Sequence, residues 1–246
     1  MERAPLSDYI KRCHYGRSSR HSWSFRETIF DQGITHRPPR LDPQKKNRIL
    51  FYPGAFNPPH RGHEKLLSRA FASSRDMNVV AAIILLLDDK YVQEKARAAG
   101  DGLAFTREQR VKLWRGYVPY DWCWVYDRSE KEWDTFRQKL TACMTRDGYE
   151  VEFIGVFGPD QLQIDASPPW SPWGCQSMIS SDVSRSADYP ITRGQLGECE
   201  PWQNIVWNYT DLTEHVKKDA AFLAGGMALI APRALEENMS RGAYTD

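Results

Sequence analysis

Nine consecutive residues, Val79 to Leu87, are apolar without interruption. That is less than half of the roughly 20 residues a membrane-spanning helix needs. The run also lacks the polar face of an amphipathic helix or a half-buried strand. It fits the inner strand of a parallel sheet that is covered by helices on both faces. Asp88-Asp89-Lys90 follow directly, where the carboxyl end of such a strand meets solvent.

The flanking segments alternate in the same sense. Ile49-Leu50-Phe51-Tyr52 is a short apolar run closed by Pro53-Gly54, a buried strand feeding a tight turn. After Pro58-Pro59 a helix starts near His60, with Leu66, Leu67, Ala70 and Phe71 on one face. Thr106-Arg107-Glu108-Gln109 fits a capping box that opens a helix with Val111 and either Leu113 or Trp114 turned inward. Trp122 to Tyr126 is a third strand. Glu130 to Arg146 is a helix with Trp133, Phe136 or Arg137, Leu140 and Met144 at helical spacing. Val151 to Phe157 is a fourth strand, ended by Gly158-Pro159. The expected class is α/β: a Rossmann-like open sheet, mostly parallel, with helices on both faces. Residues 165–205, rich in Pro, Ser, Gly and Trp, read as loops with short elements. A C-terminal helical segment spans 206–246, with a helix over Thr210 to Leu223 and a small strand over Met227 to Ile230.

The chain has 246 residues, 41% hydrophobic and 26% charged, enough to bury a core without disulfides or metals. Its formal charge of +1 gives no global field for nucleic acid or an anionic membrane, so neither is an expected partner. The charge is nevertheless uneven: residues 1–48 hold 11 Lys/Arg against 5 Asp/Glu. Residues 1–47 therefore read as a basic, poorly ordered arm ahead of a domain over 48–246. Five acidic residues and the lack of an amphipathic face argue against a mitochondrial leader in that arm. Five scattered cysteines with no C-x-x-C pair favour a reducing compartment, cytoplasm or nucleus. Self-association is left open.

Gly54-Ala55-Phe56-Asn57-Pro58-Pro59-His60-Arg61-Gly62-His63 lies between the first sheet strand and its helix. In an open α/β sheet, ligands bind at such junctions, beyond the strand carboxyl ends. A helix N-terminus there offers unpaired N–H groups and a positive dipole end to phosphate. Gly54 permits a sharp turn, and Gly62 permits a ligand to approach the backbone. His60 and His63, one turn apart, can face the same point and donate to oxygens that gain charge in a transition state. Two imidazoles are too few to hold zinc, and no Cys or carboxylate cluster follows at ligand spacing, so no metal site is expected.

This decapeptide resembles the HxGH signature of the nucleotidyltransferase superfamily, with its cytidylyltransferase-like fold, and most closely the nicotinamide/nicotinate mononucleotide adenylyltransferases. The resemblance implies adenylyl transfer from Mg-ATP to a phosphorylated small-molecule acceptor, with release of pyrophosphate. It implies that His60 and His63 stabilise the reacting phosphates, that Gly54, Ala55 and Phe56 line the pocket by their backbone, and that Asn57 is nearby. Mg²⁺ is expected to travel with the nucleotide. Outside the decapeptide the likeness is looser. The stretch from Phe105 to Arg110 is similar to the family's R-x-x-M region, with Arg110 on an anionic group. Gly158-Pro159-Asp160 is similar to its G-x-D, with Asp160 holding the adenosine. Trp170 or Trp173 stands where the family places a tryptophan against the nicotinamide ring.

Ile179-Ser180-Ser181-Asp182-Val183-Ser184-Arg185 is the nearest match to the family's I-S-S-T-x-x-R, in which serines and arginine bind the triphosphate at a helix N-terminus. Aspartate replaces threonine here, and a carboxylate beside a triphosphate costs on the order of 1 kcal/mol. Arg185 is then either the triphosphate arginine or an acceptor-side arginine. Two further readings remain: a nucleotide-binding relative with little turnover, and a transferase with another acceptor, such as a phospho-alcohol paired with CTP. Lys45, Lys46 and Arg48, just before the first strand, are either triphosphate contacts or a solvated charge run.

Overall fold

A computed structural model describes residues 2–16, 29–30, 38–100, 102–117, 120–158, 173–181, 202–204 and 227–230. It begins with β1 (Ala4–Pro5), α1 (Leu6–Ile10), a π-helical turn (Lys11–Tyr15) and β2 (Arg40–Leu41). Then come β3 (Asn47–Gly54), α2 (Arg61–Ser73), β4 (Val79–Leu86), α3 (Asp89–Ala98), α4 (Arg107–Tyr117) and β5 (Cys123–Tyr126). α5 (Trp133–Arg146), β6 (Val151–Phe157), β7 (Ser177–Ser181), β8 (Trp202–Asn204) and β9 (Met227–Ile230) complete the order.

Five strands form a parallel sheet in the order β5-β4-β3-β6-β7, and β9 and β8 extend it antiparallel beyond β7. The chain builds outward from β3 to β4 and β5, then returns to β6 on the other side of β3. The switch in direction falls between β3 and β6, where α/β sheets of this kind open a crevice. Alternation along β3 divides the core. Ile49 and Phe51 face a cluster completed by α1 and α5, whereas Leu50 and Tyr52 face one completed by α2 and α4. The apolar run at 79–86 is buried on both sides, as the uninterrupted hydrophobicity predicts. No described helix is long and apolar enough to cross a membrane.

Two elements depart from the sequence reading. Residues 2–16 are not a solvated arm: Leu6, Tyr9, Ile10 and Cys13 are buried against α5 and the sheet. Their spacing of i, i+3, i+4, i+7 is that of an amphipathic helix, masked in the sequence by the surrounding basic charge. α3 was not anticipated, because its buried stripe is only Val92 and Ala96, one turn apart. β7 is a short element within the stretch 165–205, as the reading of loops with short elements allows. The strand expected over Met227–Ile230 is present. The helix expected over Thr210 to Leu223 lies outside the described residues.

Polar contacts hold the N-terminal segment as well. Tyr9 donates to Asp147 at 3.0 Å, and the buried His14 lies 2.8 Å from the Asp127 carboxylate through Nε2. Arg115 reaches the other Asp127 oxygen at 3.1 Å. Burial alone would raise the Asp127 carboxyl, but the contacts from His14 and Arg115 outweigh it and bring it down to about 2. A carboxyl depressed on folding stabilises above its unfolded value and loses that stabilisation as pH falls toward its folded value. Urea unfolding from about pH 5 down to about pH 2 will therefore show a shallower acid loss for Asp127→Asn than for the parent, with the variant already less stable at neutral pH.

Candidate active site

Gly54 ends β3, and the chain turns back on itself immediately. The Phe56 ring folds over Gly54 so closely that a Cβ there would stand 2.5 Å from Cζ, and Phe56 itself adopts a left-handed φ of 46°. Only glycine at position 54 leaves that room. The buried Phe56 ring meets Trp114 edge-on at 5.1 Å and His63 edge-on at 4.9 Å. The side chain that the motif supplies next to the histidines is thus a core anchor that supports His63 from beneath.

α2 starts at Arg61 with His60 as its N-cap. His60 Nδ1 accepts from Gly62 N at 3.1 Å, and His63 Nδ1 accepts from His60 N at 3.2 Å. This is a capping box built from two imidazoles rather than from Ser and Glu. The rings stack with centroids 3.6 Å apart and planes 27° from parallel. A neutral ring that accepts at Nδ1 carries its proton at Nε2, so these contacts assign the same tautomer to both histidines. His60 is exposed and His63 half-exposed, both beside the β3–β6 switch point.

Other expected site residues have structural duties. Arg110 is fully buried, not open to a ligand. It donates to Ala55 O at 2.7 Å, Leu87 O at 2.8 Å, Phe105 O at 3.0 Å and Asp89 at 2.8 Å. Burial lowers the pKa of its guanidinium, and the bond to Asp89 acts against that shift. Arg110 therefore ties the loops after β3 and β4 to the start of α4. Asn57 acts similarly: its amide donates to Leu103 O and accepts from Phe105 N, each at 2.8 Å. Trp173 packs on Phe51 at 5.5 Å, and its carbonyl accepts from Trp133. It belongs to the α5 face of the sheet, opposite to the face that carries Phe56, and is not brought to the histidines.

Of the second phosphate motif, Ile179, Ser180 and Ser181 are described, and they close β7. Ser180 is buried opposite Phe157, and its hydroxyl has no hydrogen-bond partner among the described residues. Lys46 and Arg48 pair with Glu152 at the amino end of β3, the opposite edge of the sheet from the histidines. Gly158 follows β6, half-exposed at the carboxyl edge. Asp160, Trp170, Asp182 and Arg185 lie outside the described residues.

A cavity of about 820 Å³ opens beyond β4 and β5, with Arg107, Lys112, Arg115 and Asp127 in its wall. The histidines do not line it. Its cations are matched by neighbouring carboxylates: Arg107 by Asp88, Lys112 by Glu108 and Arg115 by Asp127. The sequence reading missed Asp89, which caps Arg107 N and holds Arg110. Its only signal was a second aspartate beyond the apolar run.

The chain matches no model of a known protein family and no curated protein. It is an α/β domain with a five-stranded parallel sheet. Replacing Arg110 by Met should strand the partly buried carbonyls of Ala55, Leu87 and Phe105 and cost about 2–4 kcal/mol in chemical denaturation. A variant as stable as the parent would instead leave the guanidinium available for an anion.

Proposed function

We propose that the chain is a nucleotidyltransferase that binds Mg-ATP at the mouth of α2 and passes its adenylyl group to the phosphate of a mononucleotide. Nicotinamide or nicotinate mononucleotide is the acceptor in this reading, and pyrophosphate is the product released, a step of NAD synthesis. The observation that carries it is the paired imidazole cap, stacked at 3.6 Å, at the N-terminus of the helix beside the sheet's switch point.

An acceptor phosphate oxygen attacks the α-phosphorus in line, the bond to the β-phosphate oxygen breaks, and pyrophosphate leaves with the electron pair. The acceptor is already ionised, so no protein nucleophile is required, and the protein contributes position and charge stabilisation. The Nε2–H groups of His60 and His63 donate to oxygens that gain charge, and the amino end of α2 adds its dipole. Magnesium supplies neutralisation of the phosphate oxygens when it arrives with the nucleotide. In this reading the ion is held by the phosphates and water rather than by a protein cage. Gly54 and Phe56 act one step back, by holding the histidine loop in shape.

A nucleotide-binding protein with little turnover is the second reading. It is favoured by Asp182 standing where I-S-S-T-x-x-R has threonine, a carboxylate that would repel the triphosphate.

His60→Asn separates the two duties of that ring, since asparagine is itself a strong N-cap residue. Pyrophosphate release from Mg-ATP with a panel of mononucleotides should fall by a factor of order 10² in this variant, while its unfolding free energy stays within about 0.5 kcal/mol. An unchanged rate removes the histidine from the chemistry. Nucleotide binding by the parent without pyrophosphate release selects the second reading.

A further inference from the structure

Helix caps are mostly built from hydroxyl, amide or carboxyl oxygens, which go on accepting hydrogen bonds in mild acid. The cap of α2 is built from imidazole nitrogens instead. His60 Nδ1 accepts from Gly62 N at 3.1 Å, and His63 Nδ1 accepts from His60 N at 3.2 Å. Each ring therefore holds its proton at Nε2, and a second proton has to enter at the nitrogen that the cap occupies. Once protonated, Nδ1 is a donor facing a backbone N–H. Residue 60 takes part in both bonds, through its ring in one and its backbone in the other, so the loss of either loosens both.

We propose that the paired histidines are a proton-sensitive catch on the first turn of α2. Neutral rings hold the turn closed, and acidification through the imidazole range, near about pH 6.5, releases it. Cap and second proton exclude each other, so the open state binds more protons and the closed state loses its advantage as pH falls. The stack acts in the same direction, because two imidazolium rings with centroids 3.6 Å apart repel each other. In the open state the rings no longer present their Nε2–H groups side by side.

The neighbouring charges are engaged elsewhere. Phe56, from the loop, and Trp114, from α4, pack against His63 at 4.9 and 6.5 Å and carry no charge. On α4, Arg110 is bonded to Ala55 O, and Arg107, Glu108, Lys112 and Arg115 line the cavity that the histidines do not. α2 itself carries Arg61, Glu64 and Lys65 in its first turns, and Glu64 accepts from the Tyr120 hydroxyl at 2.9 Å. β4 and β7, which pack on α2, bring no charged side chain. Both Nδ1 atoms thus face backbone N–H groups rather than one of these charges.

The catch can be read without any ligand, so it stands or falls apart from the nucleotide reading. The test is ring-nitrogen NMR and amide hydrogen exchange on the full chain, from about pH 7.5 down to about pH 5.5. At the upper end both rings should show the Nε2–H tautomer. Protection of the Gly62 and His60 amides, corrected for the intrinsic pH dependence of exchange, should fall about fivefold or more as the rings take up protons. The double variant His60→Asn, His63→Gln rebuilds the capping box from groups that do not titrate, and its protection should stay flat over the same range. Three results would each overturn the proposal: an Nδ1–H tautomer in either ring at the upper end, parent protection unchanged while the rings titrate, or an equal loss in the double variant. The parent's tautomers and titration decide the matter even where the double variant does not fold.

Discussion

Burial of β3 on both edges and both faces is the constraint from which the rest of the molecule follows. Parallel neighbours on each side consume its backbone hydrogen bonds, and alternate side chains feed two separate cores. A strand so enclosed can give a ligand only its carboxyl end. There the chain has to reverse within a few residues, and the close approach of Phe56 to Gly54 is how it does so. The histidines are carried to the edge of the sheet by that reversal. Their position is a consequence of backbone geometry before it is a matter of chemistry.

The loop is then held by polar groups that look, in sequence, like ligand contacts. Arg110 and Asn57 spend their donors on carbonyls of neighbouring loops. A buried guanidinium with all these partners is expensive to disturb, because its loss leaves three partly buried carbonyls without their donor. The same economy governs the cavity beyond β4 and β5, whose charges are matched pairwise at its rim. Preorganisation of the histidine loop and charge neutrality nearby thus come from one network along the carboxyl edge of the sheet. In the proposed reaction, that network would keep the imidazoles fixed while charge moves between phosphates.

The N-terminal segment adds a second theme. It docks through an apolar stripe against α5 and the sheet, a His14–Asp127–Arg115 chain between the end of β5 and α4, and a Cys13 thiol contact with Lys139 O on α5. Asp127 also borders the cavity, so the segment is mechanically connected to the carboxyl edge through one carboxylate.

Patterns of period two and period 3.6 made the sheet, its direction and most helices legible, because burial on two faces or one leaves an imprint on the order of residues. The histidine cap was legible for the same local reason: a strand end, a glycine and a helix start adjoin in the chain. Where hydrophobic spacing was thin, as in α3, or veiled by charge, as over Leu6 to Cys13, the imprint was too faint. Only the tertiary structure decided that Arg110 turns inward, that Trp173 belongs to the far face, that Ser180 is buried in a strand, and that Cys13 packs against α5. Each of those depends on a partner distant in sequence, and a residue's type fixes what it can bond to without saying which surface it will be folded against.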